Sequence, residues 1–163
     1  GYGATLSYYA ATESFGSAQN YQRLEGRGSY VQSWGPHTLN LFAAGGTDLG
    51  TDMPAYESFS LGGPLRLSGF RLEQFSGRRD ALGRAVYYNQ FFSLPDLLGS
   101  GAYVGASAEV GRITDRTDGF AQPGTLYSGS VFVGASTFLG PAYLGAGFGN
   151  NGAASVYLLL GAP

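Results

Sequence analysis

The residues able to do acid–base or nucleophilic chemistry are few, and nothing in the sequence groups them. His37 is the only histidine, and cysteine is absent. A zinc site needs several His, Cys or carboxylate ligands, and a serine relay needs a base beside its nucleophile. His37 has no such company and reads as a residue flanking a turn. The carboxylates are scattered, without the paired spacing of glycosidases or proteases. Asp118-Gly119 has the form of a turn between strands. The run GAGFGNNG, Gly145 to Gly152, is as glycine-rich as a phosphate-cradling loop. It lies in a strand that ends on an Asn-Gly turn, however, and no helix follows to present its amides. The expectation is a chain with no catalytic site, no metal and no cofactor.

One charge cluster does have a spacing. Arg23, Glu25 and Arg27 occupy alternate positions, opposite Leu24, Gly26, Gly28 and Tyr30. Alternation of this kind belongs to a strand with one polar face. It recurs in Gly101 to Gly111, where Ala102, Val104, Ala106, Ala108 and Val110 oppose Tyr103, Ser107 and Glu109. In Leu126 to Leu139, Tyr127, Val131, Val133, Ala135 and Leu139 oppose Ser128, Ser130, Phe132 and Ser136. Helical spacing is nearly absent. The pattern predicts eight strands, near 2–13, 20–34, 37–46, 80–93, 101–113, 125–139, 141–149 and 153–161. Turn residues at Gly35-Pro36, Gly99-Ser100-Gly101, Gly140-Pro141 and Asn150-Asn151-Gly152 separate them.

Composition narrows the class. The chain has 163 residues, enough for one domain with a core. Only 12% are charged, about half the usual share for a soluble domain, and there are 28 glycines and 15% aromatics. A net charge of −2 gives no basic face for nucleic acid. No apolar run is long enough for a transmembrane helix, and mean hydropathy is near zero. A membrane β-barrel has this same bland average, because lipid-facing and lumen-facing residues alternate. Many of the predicted strands reach about ten residues, the length of a tilted membrane crossing. Short connections (35–36, 94–99, 140–141) alternate with long ones (47–79, 114–124), as in outer-membrane barrels. The same alternation fits a soluble eight-stranded barrel around a small apolar ligand. The polar cluster on one strand favours a wet lumen, and a solvated outer face would also explain it. An enzymatic barrel would have to use His37 as its base. Gly1, without an initiating methionine or signal pattern, points to processing or to a piece of a longer protein.

The connection 47–79 is too long for a plain turn, and such loops are usually functional or disordered. It contains FSLGGPLRLSGF (Phe59 to Phe70) and is followed by ALGRAVYYNQF (Ala81 to Phe91), GAYVGASAEVG and YSGSVFVGASTFLGPAYLGAGFGNNGAASVYLLLG. These stretches resemble the carboxy-terminal barrel of bacterial patatin-like phospholipases, within the BamA/TamA-type outer-membrane superfamily. The resemblance covers Phe59 to Gly161, and the first 46 residues only as generic strands. It implies an all-β, antiparallel transmembrane barrel in the bacterial outer membrane. That barrel would act as translocator or membrane anchor for an upstream lipase, or in outer-membrane protein assembly and secretion. The implied partners are the lipid bilayer and the outer-membrane assembly machinery.

In that superfamily the long loop folds into the lumen, and a Val/Ile-Arg-Gly-Phe/Tyr motif at its tip meets an acidic residue on the wall. Here Leu67-Ser68-Gly69-Phe70 fills the slot, with Ser68 in the arginine's place and Arg66 and Arg71 flanking it. Glu109 is the wall candidate, with an ion pair expected to Arg66 or Arg71. Arg23, Glu25, Arg27 and Arg84 are the other expected lumen residues. Patatin-like catalysis uses Gly-x-Ser-x-Gly and Asp-Gly; Asp118-Gly119 is present but the serine motif is not, so any lipase is expected upstream. The family's barrels have sixteen strands. Three strands before the loop and five after it match the last eight, which leaves three arrangements open: a fragment, a closed eight-stranded barrel, or half of a dimeric one. An interior of eight strands is filled by side chains, which argues against closure with the loop inside. The ending Gly161-Ala162-Pro163 departs from the terminal aromatic residue of such barrels.

Overall fold

The computed structural model describes residues 1–11, 20–51, 54–92, 101–116, 124–137 and 140–161. Most of their backbone is extended, apart from the stretches 48–51, 54–58 and 62–74. The strands are β1 (Tyr2–Ala11), β2 (Tyr21–Trp34), β3 (His37–Thr47), β4 (Phe59–Leu61), β5 (Phe75–Phe92), β6 (Gly101–Arg116), β7 (Thr125–Thr137), β8 (Gly140–Gly149) and β9 (Ala154–Leu160). Among the described residues the helical pieces are two short 3-10 turns, at Ala55–Glu57 and Asn150–Gly152. Asp118-Gly119, Leu139, the 94–99 connection and Ala162-Pro163 lie outside the described residues.

All nine strands form one antiparallel sheet in the order β1-β2-β3-β5-β6-β7-β8-β9, with β4 paired to the start of β5. The eight long strands are therefore a simple meander, each bonded to its neighbour in sequence. The sheet does not close into a barrel: β1 and β9 are its two ends. The ninth strand and the early start of β5 differ from the sequence pattern. Phe59, Leu61 and Phe75 are all buried, and Phe59 to Leu61 ladder onto Phe75 to Gly77. Gly62, Gly63 and Pro64 conceal that short strand by ending it after three residues. The free part of the long loop is correspondingly shorter, and β6 runs on to Arg116.

Register assigns each side chain to a face. Across β5, β6 and β7, Arg84 faces Glu109 and Glu109 faces Ser128, while Ala85 faces Ala108 and Val104 faces Val133. The first set shares a face with Arg23, Glu25 and Arg27, and the long loop lies over it. The second set is on the uncovered face with Tyr8, Leu41, Tyr87, Leu144 and Leu158, all exposed. Among the described strands the outward residues of β6, from Ala102 to Val110, are all apolar. They span roughly 27 Å along the strand at about 3.4 Å per residue.

The core is not between two sheets but between the sheet and its own loop. Leu61, Leu67, Phe70 and Phe75 pack on Leu82, Ile113 and Leu126, with Phe42 and Ala153 at the margin. A smaller group joins Leu65 to Val86 and Phe132. Burying a leucine or phenylalanine in this way stabilises by about 1.5–3 kcal/mol. The loop is thus held mainly by Leu61, Leu65, Leu67 and Phe70.

Candidate functional site

The tip of the loop is seated on Glu109 of β6. Glu109 is 4% exposed, and Ser68 beneath it is fully buried. The Ser68 backbone N–H donates to Glu109 Oε2 at 2.5 Å, and the Ser68 hydroxyl donates to Oε1 at 2.6 Å. The Ser107 hydroxyl donates to the same Oε1 at 2.6 Å. A hydroxyl has one proton, so the rest of the chain follows from these bonds. Ser107, having given its proton to Glu109, accepts from Ser130 at 2.8 Å. Ser130 then accepts from the Tyr157 hydroxyl at 3.0 Å. The relay runs one way, from β9 through β7 and β6, and ends on the carboxylate.

The loop backbone makes further bonds around this point. Leu65 N–H donates to the Ser68 hydroxyl at 2.8 Å, and Gly69 N–H donates to Ser128 Oγ at 2.7 Å. The Ser155 hydroxyl of β9 donates to the Ser68 carbonyl. This approach depends on the absence of two side chains. A Cβ at Gly147 would overlap the Ser68 carbonyl, and one at Gly69 would overlap the backbone at Phe148 and Gly149. Leu65 and Leu67 hold positive φ, +57° and +81°, a conformation that costs on the order of 1–3 kcal/mol per residue. Burial of both leucine side chains and the Glu109 bonds offset that cost.

The loop and lumen residues expected from the sequence each have a definite place. Leu67 and Phe70 are core residues, and the Phe70 ring meets Phe75 edge-on at 5.2 Å. Arg66 and Arg71 are exposed, and neither reaches Glu109 among the described contacts. Arg66 donates instead to the Ser60 carbonyl at 3.2 Å. The expected ion pair is replaced by the Ser68 clasp, because a short residue stands at the tip and brings the backbone itself to the carboxylate. Arg23 pairs with Glu25 at 2.5 Å and with Glu57 at 3.1 Å, and its guanidinium lies 4.4 Å over the Phe59 ring. Arg27 lines a cavity of about 820 Å³ between the loop and β1–β3, together with Arg23, Glu25, Arg66, Asp80 and Arg84. Arg84 stands opposite Glu109 in register, donates to the Leu65 carbonyl at 3.1 Å, and lies over Phe42 at 4.9 Å.

The serines and Tyr157 had no separate signal in the sequence beyond their place on the polar face. Asp48 was also missed. It is buried where the loop leaves β3, accepts from Gly50 N–H at 3.1 Å, and sits 3.8 and 3.7 Å from Arg78 and Arg79. His37 lies away from all of this. Its Nδ1 is 2.7 Å from the Tyr87 hydroxyl and 3.0 Å from Asn89 Nδ2, and its ring stacks between Trp34 and Tyr87. Among the described residues no group of three or more His, Cys, Asp or Glu could hold a metal ion.

Comparison with models of known protein families gives no match. Comparison with curated protein sequences gives none either.

Proposed function

We propose that this chain is the membrane-embedded part of an outer-membrane β-barrel protein, with the seated loop occupying its lumen. The observation that carries this reading is the contrast between the faces. The outward positions of all eight long strands are small, aliphatic or aromatic through their middle, and the outward charges Arg79 and Arg112 lie near the loop-bearing end. Val131 is 57% and Leu158 67% exposed on that face. A surface of this kind is costly in water and suited to hydrocarbon. Hydrogen-bonded and charged groups collect on the other face, where a lumen would hydrate them. Tyr2, Tyr30, Trp34 and Tyr87 towards one end, and Tyr8, Tyr127 and Phe148 towards the other, suit the two interfacial girdles of such barrels.

The role that goes with this architecture is structural. The barrel anchors, or carries across the outer membrane, a passenger that lies before it in the chain; the resemblance to patatin-like outer-membrane proteins makes that passenger a lipase. An open sheet cannot remain in hydrocarbon with bare edges. In the membrane, therefore, β1 and β9 are paired, by each other, by more of the same protein or by a second copy.

The chain has no cysteine, so single cysteines report cleanly. Val104→Cys and Val133→Cys are expected to react with a lipid-phase maleimide in bilayers, and Ser107→Cys is expected to stay protected. The folded protein should migrate faster on a gel before heating than after. A monomer that stays folded in plain buffer, with equal labelling on both faces, would instead support a soluble ligand-binding barrel.

A further inference from the structure

We infer that the concave face carries a binding site for a small amphipathic carboxylate, with Arg84 as its anion receptor. The site is a cavity of about 560 Å³ beside the seated loop, with Arg84 on the border that it shares with the Arg27 cavity. Its volume lies in the range of ordinary small-molecule sites. Two aromatic pairs stand in its wall: Tyr88 packs edge-on against Tyr103, and Phe132 edge-on against Tyr143, at 5.8 and 5.9 Å. Only Arg84 and Asn40 bring amide or charged groups to it from the sheet's middle strands. A mostly apolar wall with few convergent polar groups is the usual form of a ligand site.

The polar groups there are in an unusual state. Three buried side-chain atoms lack a hydrogen-bond partner among the described residues, and two of them are Arg84 Nε and Asn40 Oδ1. The third, Arg23 Nε, is 2.5 Å from Glu25 and so has a charge partner. Buried polar groups are nearly always satisfied, so two orphans on residues of one cavity call for an explanation. Arg84 takes part in no ion pair among the described residues. Its natural counterion, Glu109, stands across the β5–β6 ladder, but both Glu109 oxygens are engaged by Ser68, and one also by Ser107. The clasp that seats the loop thereby leaves Arg84 Nε without a carboxylate to donate to, although Glu109 is near. A guanidinium matches a carboxylate in a two-point geometry. The unpartnered Asn40 Oδ1 is an acceptor, so it suits a hydroxyl or N–H carried beside that carboxylate, and the aromatic side chains of the wall accept an aliphatic or aromatic body. A cationic ligand of the same shape would face Arg84 with no compensating carboxylate free.

The site does not depend on membrane insertion, so it can be tested whether or not the barrel reading holds. The full chain, in micelles or in buffer, is dialysed against 1-naphthoate, 1-naphthalenemethanol and protonated 1-naphthylmethylamine, three probes with one body and different charge. Empty micelles supply the background. Saturable binding of one naphthoate per chain is expected, at least tenfold tighter than the alcohol or the amine. Arg84→Met should weaken naphthoate at least tenfold, and Arg27→Met in the neighbouring cavity should not. Tyr103→Ala on the facing wall should weaken it too, and carries the test if Arg84→Met fails to fold. Equal affinity for the three probes, no saturable naphthoate binding to the folded parent, or undiminished binding by Arg84→Met or Tyr103→Ala would overturn the site.

Discussion

Ser68 holds Glu109 with two donors of different kinds, and mutation can separate them. Ser68→Ala removes the hydroxyl and keeps the backbone N–H. A hydrogen bond to a charged group contributes about 1.5–3 kcal/mol, so the variant should lose about that much stability. Glu109→Ala removes the acceptor for all three donors, two of them on the fully buried Ser68, and with it the carboxylate that faces Arg84 in register. Its cost should be larger, about 3–5 kcal/mol. The midpoint of the heat-induced gel shift orders the two, and the reverse order would refute this account of the clasp. Gly147→Val should act through space, since any side chain there meets the Ser68 carbonyl. Limited proteolysis within 54–74 should speed up in that variant while the strands stay protected. The sequence displays the loop motif and Glu109 but suggests a guanidinium between them, because Arg66 and Arg71 are the visible charges nearby. A backbone N–H has no letter of its own, so the actual donor could not be read. The close contacts of Gly69 and Gly147 are illegible for the same reason: each is one glycine among 28.

At the scale of elements, period-2 alternation located all eight long strands, and each of them pairs antiparallel with the next long strand in sequence, across short and long connections alike. It erred where packing overrides pattern. The pairing of β4 with the start of β5 is held by Phe59, Leu61 and Phe75 against the loop core, a contact that three residues of local sequence do not announce. Alternation also fixes two faces without saying which is wet. The structure places the loop and its apolar core over the polar face, leaving the aliphatic face uncovered. A charge introduced on that face should therefore depend on depth. In bilayers Val131→Arg, in the middle of β7, is expected to cost about 2–4 kcal/mol, and Thr125→Arg, at the strand's loop-side start, about 0–1 kcal/mol. Reversible unfolding from vesicles measures the difference; equal costs would mean that β7 does not cross hydrocarbon.

For the whole molecule, the two ends of the sheet and the loop across its concave side are the main facts. Since unpaired strand edges are untenable in lipid, backbone amides along β1 and β9 should exchange slowly with solvent once the protein is in bilayers. Fast exchange at both, beside slow exchange in β6, would contradict a sealed wall. The loop tip touches strands made long after it. Ser68 bonds Glu109, 41 residues onward, and Ser155, 87 residues onward. Contacts so far apart along the chain form late and slowly. During biosynthesis the tip cannot find its full set of partners until the β8–β9 hairpin has emerged, so a chain that stops short of β9 keeps an unseated loop. A seated tip is in that sense a receipt for β9, and any factor that separates copies with that strand from copies without it has the tip to feel for.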